Sequence, residues 1–393
     1  MAKKTNEIRE NSLAMNKFSI FLIIIIPLKA ILIFFPFQLS SHELSPNIVN
    51  LQIEKNRIYI KFTTNLEAYL AGIDFSIIDN TNEHDDGEYY KKLRKLNKSE
   101  LTEIFLKNWD SFISLFYLSL EDGTKLNNFN FSKVDTENID NLDVSRLSTV
   151  HFFIENSGIK PFTFQASKTL GEIIFRQIGV ENGVTQFLFP GEKSEVISSK
   201  TGKPKIWYDT FLDYIPVGFT HILPKGLDHI LFVLGLLFLT PKIYPLLLQI
   251  SIFTLAHTIT LAISALKIIT ISSKIVEPLI AASIIYIAVE NFFNSSLTKY
   301  RSITIFVFGL LHGLGFASVL SSFGLPNTNF VWALVGFNIG VEIGQITIIF
   351  VFYVICIYWI KTKNYYTKFI SMPGSAIIAA IGAFWFFERT LLT

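Results

Sequence analysis

Two textures of hydrophobic patterning divide the chain. From residue 42 to about 205, apolar and polar positions alternate in short runs, as in Ile58-Tyr59-Ile60-Lys61-Phe62, Thr149-Val150-His151-Phe152-Phe153-Ile154, Phe162-Thr163-Phe164 and Glu172-Ile173-Ile174-Phe175. A period of two puts successive side chains on opposite faces of a strand, so these runs predict a β-rich domain, with Lys55-Asn56-Arg57 as a hairpin turn. The mixed stretch Tyr90 to Leu118 predicts one or two helices. Residues 191–205, rich in Ser, Lys, Gly and Pro, predict a linker.

Beyond residue 206 the alternation gives way to long apolar runs. Six of them, at roughly 215–240, 245–266, 275–294, 302–324, 330–360 and 372–391, are each about 17 to 25 residues long or somewhat more, enough to cross a bilayer. A further one, Phe18 to Leu39, follows Lys3, Lys4, Arg9 and Lys17 and precedes the small residues Ser40 and Ser41. That order predicts a signal peptide over residues 1–41, with Met15 as an alternative start and an uncleaved anchor as the rival reading. Either way the next segment lies outside the cytoplasm.

The expected architecture is therefore a polytopic α-helical membrane protein with six transmembrane helices (206–393), preceded by a β-rich extracytoplasmic domain (42–205). Lys242, Lys299, Arg301, Lys361, Lys363 and Lys368 then fall in inner loops, and Lys267 and Lys274 in outer ones. The positive-inside rule agrees with the export signal and places the chain in a bacterial-type inner membrane, its N-terminal domain periplasmic.

Charge sharpens the division. The chain is 17% charged overall, but only 17 of its 66 charged residues lie among the 188 residues from 206 onward, about 9%. Soluble domains average about 25%, so the second half belongs to a lipid environment. The near-neutral balance of +2 gives no basic surface for nucleic acid, and a single cysteine excludes a disulfide scaffold.

Against that apolar background the ionisable residues stand out, because a charged side chain at the bilayer centre costs about 2.5–3.5 kcal/mol on insertion scales. The first span carries His221, Asp228 and His229, the second His257, the third Glu277 and Glu290, the fourth His312, and the fifth Glu342 between Asn338 and Gln345. At 100° per residue Asn338, Glu342 and Gln345 form one stripe, expected to face a cavity, while Gly336, Gly340 and Gly344 form another suited to close helix packing. His221 and Asp228 are two turns apart, about 10.5 Å in a regular helix. Either they serve separate outer and inner sites, or Pro224 and Gly226 break the helix and bring them together; the break is the favoured alternative. Imidazoles and carboxylates, with no intramembrane thiolate except a lone Cys356, suit Ni²⁺, Co²⁺, Zn²⁺ or Fe²⁺ better than Cu(I). The candidate metal ligands are His221, Asp228, His229, His257, Glu290, His312 and Glu342. Glu277, beside Pro278 and Lys274, reads as a helix-end residue, and Gly309, Gly313 and Gly315 as packing positions.

The same blocks carry a resemblance. His221-Ile222-Leu223 followed by Gly226-Leu227-Asp228-His229-Ile230-Leu231-Phe232, the run Phe253 to Ala262, Val276-Glu277, Val289-Glu290-Asn291, the run Phe308 to Ala317 and the run Gly336 to Gln345 together resemble the HupE/UreJ family of hydrogenase and urease accessory membrane proteins. Ser41-His42-Glu43-Leu44-Ser45-Pro46 is similar to the mature start of its long branch, which has an exported N-terminal domain. The resemblance implies a nickel or cobalt permease, with Asp228, His229 and His312 as metal contacts. Short hydrogenase-type members have a His-x5-Asp-His element, whereas six residues separate His221 from Asp228 here, and one histidine without a following glutamate marks the His312 region.

The ion is cargo, and no tightly bound cofactor is expected. The exported domain is a candidate to collect or present the metal, or to meet an extracytoplasmic metal donor. After cleavage at residue 41 the amine and imidazole of His42 would form a small metal-capturing pair; Glu83-His84-Asp85-Asp86 reads as a solvated loop. Two other functions compete: a haem b electron-transfer protein, against which the intramembrane carboxylates count, and a non-transporting metal sensor or assembly factor. His-Glu-x-x-His and Gly-x-Ser-x-Gly are both absent from the sequence, so an enzyme is not expected.

Overall fold

The computed structural model describes residues 46–391 apart from 55, 77–86, 138–145, 156–159, 182, 199–205, 267, 270, 295–299, 316–328 and 358–365. The expected signal segment, His42 and the cluster at 83–86 lie outside the described residues. Two compact units emerge: one is built mainly from Ser40–Val217, the other mainly from Gly218–Phe316 and Phe337–Leu392.

In the first unit, the alternating runs form strands. β1 (Asn47–Glu54) and β2 (Arg57–Thr64) make the expected hairpin, Glu54 opposite Arg57. With β5 (Phe129–Thr136), β6 (Ser148–Glu155), β8 (Ile173–Ile178) and β9 (Thr185–Leu188) they build a six-stranded sheet in the order β5-β6-β2-β1-β8-β9. Its pairs are antiparallel except β1 with β8. A second sheet, β4-β3-β7, comprises β3 (Phe116–Leu120), β4 (Lys125–Leu126) and β7 (Phe162–Ala166).

Period-two burial explains the arrangement. Ile58, Ile60 and Phe62 of β2 point inward, as do Phe116 and Leu118 of β3 and Phe162 and Phe164 of β7. Phenylalanine rings join the sheets: Phe62 to Phe116 at 5.0 Å and Phe164 to Phe175 at 5.2 Å. The first pair is edge-on and the second tilted, and aromatic pairs of this kind add about 0.5–1.5 kcal/mol beyond their burial. The mixed stretch becomes α2 (Gly87–Arg94), α3 (Lys98–Lys107) and α4 (Trp109–Ile113), after α1 (Leu66–Leu70). Asn97 and Glu100 close a reciprocal capping box on α3, each side chain taking an orphan backbone N–H of the first turn. Glu67 of α1 is completely buried, and Arg146 meets its carboxylate at 2.5 Å.

The first part of the expected linker is instead part of this unit. Ile197 is buried and pairs with Phe162, and the Ser194 hydroxyl accepts from the Phe164 amide at 2.8 Å. A Ser- and Gly-rich composition signals irregular backbone, and here that backbone lies against the edge of β7.

The apolar runs are helical: α5 (Trp207–Ile222), α6 (Leu227–Leu239), α7 (Ile243–Ala265), α8 (Ser273–Phe293), α9 (Arg301–Gly315), α10 (Phe330–Phe352) and α11 (Met372–Leu391). Ile243–Ala265, Ser273–Phe293, Phe330–Ile355 and Thr367–Leu391 are long and apolar enough to cross a membrane, and α5 with α6 make a fifth span if the bent pair is taken as one. Six spans were expected. The remaining one, 302–324, is described only as the 15-residue α9 before it runs beyond the described residues.

Candidate metal centre

The first apolar run is interrupted where Pro224 and Gly226 stand. α5 ends at Ile222, α6 begins at Leu227, and the two axes differ by 74°. A proline cannot donate to the helical ladder and disfavours helical backbone before it, which ends α5. At Gly226 the chain turns so tightly that a Cβ would stand 2.5 Å from the His221 carbonyl oxygen and 3.3 Å from His229 Nδ1. The break removes the two-turn separation expected of a straight helix, and the His221 and His229 rings lie 4.9 Å apart.

Two more helices reach the same point. On α7, His257 lies 5.8 Å from His229 and 6.2 Å from His221, ring to ring. On α9, His312 lies 5.2 Å from His229. Gly313 permits this approach: a Cβ there would be 2.3 Å from the His257 carbonyl oxygen and 2.2 Å from Thr260 Oγ1. One ring nitrogen from each of His221, His229 and His257 can be chosen so that all three lie within 4.8 Å of one another.

The hydrogen bonds sort the nitrogens. His229 Nδ1 lies 3.0 Å from Asp228 Oδ1, His257 Nδ1 lies 3.4 Å from Asn338 Oδ1, and His312 Nδ1 lies 2.9 Å from the Phe308 carbonyl oxygen. Each partner accepts, so the proton belongs on Nδ1 and the lone pair on Nε2. The Nε2 atoms of His229, His257 and His312 are buried with no hydrogen-bond partner among the described residues. A buried polar atom left unpaired costs about 1–3 kcal/mol. Three of them on neighbouring imidazoles match the arrangement in which a second partner orients each metal-binding ring. Asp228, in the first turn of α6, also accepts from the His229 amide at 2.8 Å, where the helix dipole favours a carboxylate.

The remaining candidates lie on other contacts. Glu290 of α8 pairs with Arg301 of α9, whose Nε donates to Gln249 Oε1 at 2.8 Å. Arg301, counted from sequence as a loop base, is thus 3% exposed and tied into a helix contact. Glu342 accepts from Ser251 Oγ at 2.6 Å, and Gln345 Oε1 accepts from Thr254 Oγ1 at 3.1 Å. The polar stripe of α10 therefore meets α7, where Ser251, Thr254 and His257 supply matching partners. The glycine stripe packs as expected, with Gly344 against Ile222. Glu277 faces Arg389 near the end of α11, at 3.9 Å.

Sequence reasoning missed Asn338 as the orienting partner of His257, although its place on the polar stripe was visible. It also missed Arg301 as the partner of Glu290 and Gln249 as the acceptor for Arg301; only proximity across three helices reveals them. Residues 198–389 match the model of the family described as HupE / UreJ protein. No curated protein and no solved structure matches the chain.

Proposed function

With residues 198–389 belonging to the HupE/UreJ family, we propose that the chain is a membrane permease for a divalent transition metal ion, nickel or cobalt, held in passage by His221, Asp228, His229, His257 and His312. The observation that carries this reading is the set of three buried imidazoles, each fixed through Nδ1 and each with an Nε2 unpaired among the described residues. Family and apolar helices together point to a membrane protein with a metal-related role.

The chemistry follows from the donors. Neutral imidazole is a borderline ligand suited to nickel, cobalt, zinc or iron, and a transported ion needs contacts that exchange. Asp228 offsets part of the ion's charge and holds His229 in the tautomer that presents Nε2. Ring nitrogens gathered around one point favour a single ion over haem, whose axial imidazoles face each other across a wide plane. Glu342, on the same stripe as Asn338, is assigned to the ion's path. The β-rich unit is assigned the role of collecting or presenting the metal outside the membrane.

The test is uptake of nickel and cobalt by cells expressing the wild type, Asp228→Ala, His229→Ala or His312→Ala at matched membrane levels. Each substitution is expected to abolish uptake. Normal uptake in all three defeats the reading, and a wild type that loads metal without raising uptake favours a sensor or assembly factor.

A further inference from the structure

Three helices repeat one pattern beside the histidines. Toward the ends that carry Lys242 and Arg301, each places a phenylalanine one turn from its histidine: Phe232 three residues after His229, Phe253 four before His257 and Phe308 four before His312. Residues at these spacings share a helix face. The rings meet, Phe232 to Phe253 at 4.8 Å and Phe232 to Phe308 at 6.2 Å, and both Phe253 and Phe232 touch His312, at 4.9 and 5.3 Å. An aromatic layer thus closes one side of the histidine cluster.

Past that layer stands the polar group of Gln249, Glu290 and Arg301. Gln249, Phe253 and His257 are four residues apart along α7, and Arg301, Phe308 and His312 follow one stripe of α9, so both stripes run from imidazole through phenylalanine to this group. Arg301 Nε donates to Gln249, Nη1 donates to Glu290 Oε2, and Asn294 Nδ2 donates to Glu290 Oε1 at 3.4 Å. The Arg301 and Glu290 side chains are 2% and 8% exposed. Arg301 Nη2 is nevertheless buried without a hydrogen-bond partner among the described residues. A buried ion pair built only for stability needs its remaining donors satisfied. This guanidinium is incompletely held, in a setting of carboxylate and amide oxygens that a divalent cation also accepts.

We propose that Glu290 and Gln249 form a second seat for the transported divalent cation, across the phenylalanine layer from the histidines, and that Arg301 is a tethered cation occupying this seat between passages. The proposal rests on reading the histidine cluster as a cation site. An ion leaving the histidines displaces the guanidinium, and the returning guanidinium expels the ion. The buried carboxylate always has a positive partner, which avoids the large cost of a bare charge in a low dielectric.

The experiment counts nickel bound per chain on purified, full-length protein in detergent after desalting. Wild type is expected to hold one ion, Arg301→Gln two, and Arg301→Gln with Glu290→Gln one. Arg301→Gln with His229→Ala should keep the ion of the new seat. A wild type without nickel beside one ion in Arg301→Gln would count against the histidine reading and for the second seat. A folded Arg301→Gln protein that holds no more nickel than wild type overturns the proposal. Glu290→Gln alone keeps an acceptor for Arg301 and the shape of the side chain. It should leave histidine loading unchanged while uptake falls by roughly tenfold or more, the scale of one lost charge-assisted contact. Unchanged uptake in Glu290→Gln, or loss of nickel from its histidines, also overturns the proposal.

Discussion

Both units bury ionisable groups, and the interior of the β-rich unit does so in the opposite way to the histidine cluster of the helical unit. In the β-rich unit the buried carboxylate of Glu67 is met by a group of opposite charge, Arg146, at 2.5 Å. Burial pushes the Glu67 carboxyl above its ordinary range, and the neighbouring Arg146 charge opposes that shift. In the helical unit, like groups are gathered instead: His221, His229, His257 and His312 converge with one carboxylate, Asp228, among them. Opposite charges brought together hold a chain in place. Like ligands brought together, with Nε2 of His229, His257 and His312 unpaired among the described residues, impose a cost on the fold that a bound cation would offset.

This contrast can be broken experimentally, most strongly in the β-rich unit. Glu67→Ala leaves Arg146 buried without its carboxylate and should cost about 3–5 kcal/mol, read as a lower denaturant midpoint for proteolysis of that unit in the full-length protein. A loss below about 1 kcal/mol would mean that the pair is as dispensable as an exposed one. Gly313→Ala comes next. Its Cβ must push α9 away from the α7 backbone, for about 1–3 kcal/mol, and should reduce metal uptake by displacing His312; a variant with unchanged melting temperature and unchanged uptake would show that the helices need no such approach. His312→Leu is the counterpart to Glu67→Ala. It removes an imidazole whose Nε2 is unpaired, so the melting temperature should shift by the equivalent of less than about 1 kcal/mol while uptake disappears. A strong destabilisation would make His312 a structural residue.

Much of this contrast was legible in the sequence, for reasons that differ between the units. Strand positions such as Ile58, Ile60 and Phe62 follow a period-two rule that needs no knowledge of the partner strand. The parallel pairing of β1 with β8 was hidden, since it joins residues more than a hundred positions apart. In the helical unit the candidates were visible because ionisable residues are conspicuous in apolar runs, and Pro224 with Gly226 pointed to the break. Which candidates share a site was not visible. Glu290 looks like Asp228 in sequence, yet Asp228 orients His229 while Glu290 meets Arg301. The difference lies in helix packing at positions such as Gly313, which periodicity along a single helix cannot encode.

The smallest expected effect sharpens the same comparison at the surface of the β-rich unit. Asp135 gathers two positive partners, Lys133 at 2.5 Å and Lys98 at 3.1 Å, and lies 3.0 Å from the His151 ring. Hydrogen bonds from Lys133 and then Lys98 lower its carboxyl from 3.8 to about 2, whereas burial, followed by the Lys133 charge, lowers the pKa of His151. A carboxyl lowered in the folded state contributes stability above its unfolded value and loses that contribution as pH falls through the folded one. The window is therefore between about pH 4 and pH 2, and it lies on the acid side because the shift is downward. Asp135 is 43% exposed, so solvent screening should hold the effect to a few tenths of a kcal/mol. Asp135→Asn should flatten the fall in the denaturant midpoint of this unit across that window, and 1 M salt should weaken the wild-type fall. A wild-type slope that persists unchanged in Asp135→Asn would place the acid sensitivity elsewhere, with the interior pair of Glu67 and Arg146 as the next group to substitute.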